Sequence, residues 1–468
     1  MKKVIAILLA LVMVLGLVAC AAKEAQAAEA PKAEEPAKEE APKAEEPKAE
    51  EPAKEEAPAE EAPAEEVKLT MWVAASSLVP GEEEMDQEDW LITKKIREFE
   101  AANPGVTVEI VFQPDGAEEL QLFKAAAMTK DCPDIIQIWS GNYMYELEDL
   151  LVDLTPYIPA DDLEKVTSWE TVTVGYGEGA ILGYPSGGNN CSGIFYNKQV
   201  LEACGLDYEN NAPADLDAFI EDLRTIKAAG YVPIYGSDSG YMASYVFGFG
   251  VWWPQVSGGL APFTTGFDKS FGEDEGFVQA MQILADLYAE GLINEDFAST
   301  ADPVAQVMTG EAAFFASYPG RTTVIAETLG VDNVGFLPLP APANATNPCT
   351  LIGGAGGGTS VSKTCENVET AVALISYLNS KDVHVEMCKA QGVLPTRNDV
   401  TAEELDYQPG SWSDELLKAS PDYTYWIDNS MNADVLNEFN AYGAQVVTGK
   451  LSIDEFVEIL DAAAEGVE

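Results

Sequence analysis

The residues able to do chemistry are few, and their spacings fit no catalytic machinery. The chain has a single histidine, His384, in a stretch patterned as a helix. A Ser-His-Asp arrangement would have to use it, and no GxSxG elbow is present. Gly236-Ser237-Asp238-Ser239-Gly240 comes near but carries Asp at its centre. His384 therefore reads as a helix-surface residue, and histidine-rich metal sites are excluded by the same count. Gly443 to Lys450 ends in Gly449-Lys450, but its glycine spacing is wrong and Leu451 stands where a P-loop needs Ser or Thr. The run Gly353-Gly354-Ala355-Gly356-Gly357-Gly358 does not satisfy GxGxxG. It reads either as a flexible crossover or as a close backbone approach to a ligand. The 63 acidic residues beyond residue 66 offer many carboxylate pairs for glycoside hydrolysis, and no local feature singles one out. No catalytic residue, cofactor or metal is expected, and the chain is not expected to be an enzyme.

One cysteine has a specific setting. Lys2 and Lys3 precede an apolar run, Val4 to Ala19, that is too short to span a bilayer comfortably. It closes on Leu17-Val18-Ala19-Cys20, the pattern of a bacterial lipobox, in which Cys20 is acylated and becomes the mature N-terminus. Two or three acyl chains on Cys20 would anchor the protein stably, since one chain binds only marginally. No other stretch approaches the roughly 20 apolar residues of a transmembrane helix. The expected location is the extracellular face of a Gram-positive cell membrane, held through the lipid alone. The other six cysteines, Cys132, Cys191, Cys204, Cys349, Cys365 and Cys388, show no CxxC or zinc-like spacing. An even count in an exported chain permits disulfides, and free thiols are equally compatible with a domain of this size.

Residues 21–66 are Ala, Pro, Lys and Glu with one Gln, and no aromatic or β-branched residue. Such a segment has nothing to bury against its ordering entropy, and its prolines favour extended chain. It reads as a disordered stalk. The remaining residues carry 63 acidic against 18 basic side chains, a net of −45. Nucleic acid and anionic lipid headgroups are poor partners for such a surface.

About 400 residues exceed one ordinary core, so two lobes are expected. Val67 to Val73 reads as a strand. Ile92, Ile96 and Phe99 have helical spacing, and the helix stops at Asn103-Pro104-Gly105. Val106, Val108, Ile110 and Phe112 alternate as a strand. A helix through Leu120, Phe123 and Ala127 and a strand from Asp134 to Trp139 follow. This β-α-β-α-β order predicts a parallel sheet with helices on its faces. The pattern resumes with a helix over Asp215 to Ala229, a strand Val232 to Tyr235, and helices near Phe277 to Glu290 and over Val368 to Leu378. In such sheets ligands bind beyond the carboxyl ends of strands, which points to the loops after Val73, Ile138 and Ile234.

Several blocks carry a family likeness. Leu182-Gly183-Tyr184-Pro185, Gly193-Ile194-Phe195-Tyr196-Asn197-Lys198 and Ala203-Cys204-Gly205-Leu206-Asp207 stand in order, followed by Pro213-Ala214-Asp215-Leu216-Asp217-Ala218-Phe219. Asp153-Leu154-Thr155-Pro156-Tyr157-Ile158 precedes them. Met308 to Phe314, Phe336 to Pro340, Val361-Ser362-Lys363 and Gly392 to Thr396 follow. Together they resemble the family-1 extracellular solute-binding proteins of carbohydrate ABC importers. The likeness covers about residues 67–397 and departs at two tryptophan positions, occupied here by Leu216 and Gly320.

The resemblance implies an α/β, two-lobed periplasmic-binding-protein-like fold of type II. Each lobe would be a mostly parallel sheet flanked by helices. Residues 67–186 plus about 353–400 would form the N-terminal lobe, and 187–352 plus about 401–468 the C-terminal lobe. Tyr184-Pro185-Ser186 looks like the first crossing between lobes, and Leu351 to Gly354 the second. It further implies a monomer that closes on a sugar or oligosaccharide and delivers it to ABC permease subunits. Sugars stack their C–H faces on aromatic rings and need oriented donors and acceptors at their rims. Trp139, Tyr143, Trp252 and Trp253 are the candidate platforms, although a Trp-Trp pair also suits a core. Tyr318 or Arg321 would take over the surface that Gly320 vacates. Polar candidates are Ser76, Ser77, Ser140, Asn142, Asn189, Asn190 and Asp238, with the backbone of Gly353 and Gly354. Two other readings stay open: a non-sugar solute such as a polyamine or peptide, and a secreted glycoside-acting enzyme.

Overall fold

The computed structural model describes residues 66–465 except 115–116, 130, 178, 190, 238–249, 260–269 and 301–302. Cys20 and nearly all of the stalk lie outside the described residues. The expected β-α-β-α-β opening is present: β1 (Val67–Ala74), a helix Leu91–Ala102, β2 (Val106–Gln113), a helix Ala117–Ala127 and β3 (Ile135–Trp139). β1 pairs in parallel with both β2 and β3. Parallel neighbours need a crossover between them, and these two helices supply it. Successive residues of β1 point to opposite faces, so Met71 and Val73 meet Ile96, Phe99 and Ile375 on one side. Trp72 meets Phe123, Ile136 and Ile138 on the other. β3, covered on both faces, is an apolar run broken only by Gln137.

The first sheet has the order β2-β1-β3-β10-β4, completed by β4 (Tyr184–Asn189) and β10 (Ala355–Val361). The second has the order β6-β7-β5-β8, built from β5 (Gly193–Asn197), β6 (Val232–Tyr235), β7 (Ala312–Ser317) and β8 (Val334–Leu337). In each sheet one strand opposes the rest: β10 runs against β3 and β4, and β5 against β7 and β8. These are the two strands that enter from the other lobe. β4 leads directly into β5, and β9 (Leu351–Gly353) leads directly into β10. Because β4 stays paired with β10 as far as Asn189, the chain leaves the first sheet after Tyr184-Pro185-Ser186, not within it. β9 also pairs in parallel with β11 (Tyr423–Tyr425). Both lobes are thus mostly parallel sheets flanked by helices.

The crossing segments lie side by side. Ser192 and Ile352 exchange two backbone hydrogen bonds of 2.8 and 2.9 Å. The Asn189 side-chain oxygen accepts from the Gly354 amide at 2.8 Å and the Cys191 thiol at 3.0 Å. Gly354 has φ +96°, and a Cβ there would sit 3.1–3.2 Å from Thr171, Tyr423 and Tyr425, so glycine is required on two counts.

The second core corrects one expectation. Trp252 and Trp253 are fully buried, packed among Phe277, Phe271 and Phe456 rather than beside a ligand surface. Their indole N–H groups donate to Pro340 O and Asp274 Oδ1, each at 3.0 Å. His384 is corrected as well. It sits on the helix Lys381–Gln391 but on its inner face, 5 % exposed. The six described cysteines are free thiols. Among the described residues, no helix is long and apolar enough to cross a membrane.

Trp252→Ala should destabilise the protein by about 3–5 kcal/mol, because it leaves a large cavity. Urea unfolding followed by circular dichroism checks this; a loss under about 1 kcal/mol would mean that the indole is not core.

Candidate functional site

β1 and β3 end at the same edge of the first sheet, and a cavity of ≈130 Å³ opens there. Ser76 and Ser77 follow β1 at its rim. Gln137, Ile138 and Trp139 close β3. Ser186 and Gly187 come from β4, and Gly356 to Gly358 from β10. The opposite wall is Trp426, Asp428 and Asn429, just beyond β11. Trp426 and Ile427 are rooted in the second lobe's core, so the cavity is a cleft between lobes.

Glycine shapes its floor. Gly187 (φ +74°) and Gly188 (φ +72°) form a bulge in β4, where the pairing to β10 slips between Ala355 and Gly357. A bulge lets the backbone turn toward a site while the sheet continues. A Cβ on Gly187 would meet nothing within 4 Å, whereas one on Gly188 would strike Val393 at 2.4 Å. Gly187 therefore opens space and Gly188 permits close packing.

The candidates of the sequence reading separate into three groups. Ser76, Ser77 and Trp139 line the cleft. Tyr143 packs edge-on against Trp139, with centroids 5.2 Å apart, and feels the charge of Asp428. Ser140, Asn142, Asn189, Gly353 and Gly354 instead hold the lobes together. The Ser140 hydroxyl contacts Ala355 O and the Tyr425 hydroxyl at 2.6 Å each, and Asn142 donates to Ser430 O at 2.8 Å. Those groups are spent on the protein itself. Asn189 and Gly354 bond each other across the crossing, and Gly353 faces Tyr423 and Cys191. Trp252 and Trp253 belong to the core. Tyr318 and Arg321 form a cation–π pair at 5.4 Å beside Gly320, which approaches Gly392, the neighbour of the cleft residue Val393. Asn190 and Asp238 lie outside the described residues.

Sequence reasoning missed Gln137, Ser186, Gly187, Gly356 to Gly358, Val393, Trp426, Asp428 and Asn429. The glycine run was the available signal, read at its wrong end: Gly353 and Gly354 sit at the crossing, and Gly356 to Gly358 face the cleft. Among the described residues, no group of three or more His, Cys, Asp or Glu side chains could hold a metal ion.

A cleft at strand ends, walled by two lobes joined through paired crossings, suits reversible capture of a small solute. The bacterial extracellular solute-binding protein family matches residues 85–385. The chain belongs to that family. Its fold is similar to that of a chitin oligosaccharide binding protein (TM-score 0.67, 20% identity, covering 85% of this chain and 98% of that one). It is similar also to maltose-bound MalE3 of T. maritima (TM-score 0.64, 22% identity, 86% and 100%). A family 1 extracellular solute-binding protein from Bifidobacterium longum subsp. infantis aligns with TM-score 0.69 at 17% identity, covering 86% and 100%. No curated protein sequence matches the chain.

The electrostatics of this solute-binding protein's cleft are one-sided. No Lys or Arg lines the cavity among the described residues, and Asp428 is its one carboxylate. Burial pushes the Asp428 carboxyl up to about 6, opposed by its own backbone N–H and that of Asn429. Burial also raises the Tyr143 hydroxyl, followed by the charges of Asp428 and Glu146. Above pH 6 the folded protein holds a carboxylate that prefers its proton, which costs stability. As pH falls from 6 toward 4, the folded state takes up the proton while the unfolded state stays ionised, and that cost disappears. Asp428→Asn should therefore stabilise the ligand-free protein at pH 8 by on the order of 1–3 kcal/mol, with the gain vanishing near pH 4. Melting curves of both proteins across that range check it; a constant difference would mean that Asp428 is not the titrating group.

Proposed function

We propose that this protein is a lipid-anchored extracellular receptor that captures a neutral sugar or oligosaccharide between its lobes and delivers it to an ABC importer, without catalysing a reaction. The observation that carries this reading is the cleft wall itself. Two tryptophans, Trp139 and Trp426, with Tyr143 beside Trp139, meet hydroxyl, carboxamide and carboxylate groups there, and no described cation lines the space. Aromatic faces take the C–H surface of a pyranose, and the polar groups take its hydroxyl rim. Asp428, once ionised, accepts from hydroxyls of that rim. Proteins of similar fold named for chitin oligosaccharide and for maltose support the same class of ligand.

The proposed motion is a hinge at residues 191–193 and 352–354. The ligand shifts the protein to the closed form by touching both walls, Trp139 on one side and Trp426 to Asn429 on the other. The closed form is what the permease subunits would read. A polyamine is the second reading, because Asp428 among aromatic rings would also suit an ammonium group.

Titration with a panel of mono- and oligosaccharides should change tryptophan fluorescence and raise the melting temperature by mass action, by about 2.7 kcal/mol of stability at 100 times Kd. Trp139→Ala should weaken that binding roughly fivefold or more. A polyamine or peptide that raises the melting temperature where no sugar does overturns the sugar reading, and consumption of the sugar overturns the non-enzymatic one. Cys20→Ala should release the protein from membranes into the medium; retention on the membrane, detected by immunoblotting of fractions, would rule out the lipid anchor.

A further inference from the structure

Behind the cleft lies a smaller chamber of ≈50 Å³. It shares Ser77, Gln137, Ser186 and Gly187 with the cleft, so the two spaces abut at those residues. Three apolar side chains line it, Ile92, Leu378 and Met387, from three different helices.

Two largely buried side chains, Gln137 and His384, line it with donors that have no acceptor among the described residues. Gln137 is 7 % exposed. Its Oε1 accepts from the Ala74 amide at 3.3 Å, and its NH2 group donates to nothing. His384 is as deeply buried, and its Nε2 accepts from the Thr396 amide at 3.0 Å. Burial, reinforced by the Arg397 charge, pulls the imidazole down to about 4, so the ring is neutral at pH 7. With Nε2 accepting, the single ring proton sits on Nδ1, and that N–H also lacks an acceptor. Donors that line a chamber without a protein acceptor are available to whatever group fills it.

The chamber's size and chemistry narrow what that acceptor is. A water-sized group needs roughly 10–15 Å³ of such space, so the chamber holds about four heavy atoms. A hydroxyl would leave most of it empty. A carboxylate would lack a free counter-charge, since Arg397, whose charge acts on His384, is engaged by Asp399 at 2.8 and 2.9 Å and by Asn379 O. A neutral acyl group has the right atoms: one carbonyl oxygen for two donors, and a methyl for the apolar wall.

We propose that this chamber accepts the acetamido group of an N-acetylated sugar, with its carbonyl oxygen on the Gln137 and His384 N–H groups and its methyl against Ile92, Leu378 and Met387. The inference rests on the sugar reading of the cleft and makes Gln137 a specificity-determining residue.

Calorimetric titration with two matched pairs tests it: N-acetylglucosamine against glucose, and chitotriose against cellotriose. Within each pair the sugars differ only in carrying an acetamido group or a hydroxyl at C2. The acetylated sugar should bind about tenfold tighter or more. Gln137→Ala should cut that ratio several-fold, and Met387→Phe, which fills the chamber, should abolish it. Melting temperatures of both variants without ligand verify that they fold. Equal binding within the pairs, preference for the hydroxyl sugar, or a preference that survives both variants overturns the proposal. If sugars of any linkage bind without regard to acetylation, only the chamber assignment fails. If no saccharide binds at all, the sugar reading of the cleft fails with it.

Discussion

Two backbone hydrogen bonds between Ser192 and Ile352 join two sheets that otherwise have separate cores. Everything about the cleft depends on that junction. The bonds use no side chain, so their geometry is set by the paired backbones of the two crossings. The Asn189 carboxamide adds a third tie by reaching across to the Gly354 amide. A junction of a few backbone bonds can absorb φ/ψ change without disturbing either packed core, which is the requirement of a hinge. It also explains the strand directions. A chain that crosses from one sheet and enters the next has to run against its new neighbours, and β5 and β10 are the two strands that do so.

The third strand at the junction gives the cleft its far wall. β11 pairs with β9, and the chain then turns through Trp426 to Ser430. A Cβ on Gly141 would fall 2.2 Å from Asn429 O, so the loop after β3 and this turn pack backbone to backbone. Ser140, Asn142 and Tyr425 lock that contact with hydrogen bonds. The polar side chains nearest the cleft are thus divided by role. Ser140 and Asn142 are bonded across the lobes and fix its shape, and Asn429 does this while also lining the space between.

The same division explains what was legible in the sequence. Period and turn residues located the opening strands and helices, because Ile92, Ile96 and Phe99 or Val106, Val108 and Ile110 carry their burial in their spacing. Family blocks located the crossings to within a few residues. The side-chain roles were less readable. Trp252 and Trp253 carry an aromatic signature that suits a core or a platform equally, and only their burial decides between them. His384 was read as exposed, yet its helix turns the ring inward toward Thr396. Asp428 and Trp426 stand in no motif. They reach the cleft through tertiary packing almost 290 residues from Trp139 in sequence, a juxtaposition that no local pattern encodes.

The floor of the cleft places a limit on how selectivity arises. Gly356, Gly357, Gly358 and Gly187 present backbone, and backbone amides and carbonyls meet any polyol in much the same way. Differences between ligands therefore have to be read by the side chains that line the cleft. The acidic surface, with a net of −45 beyond residue 66, acts before contact by disfavouring anionic solutes at a distance. Among the described residues that line the cleft, Asp428 alone keeps that sign. Long-range charge thus acts by class of solute, and the side chains of the cleft wall act only at contact.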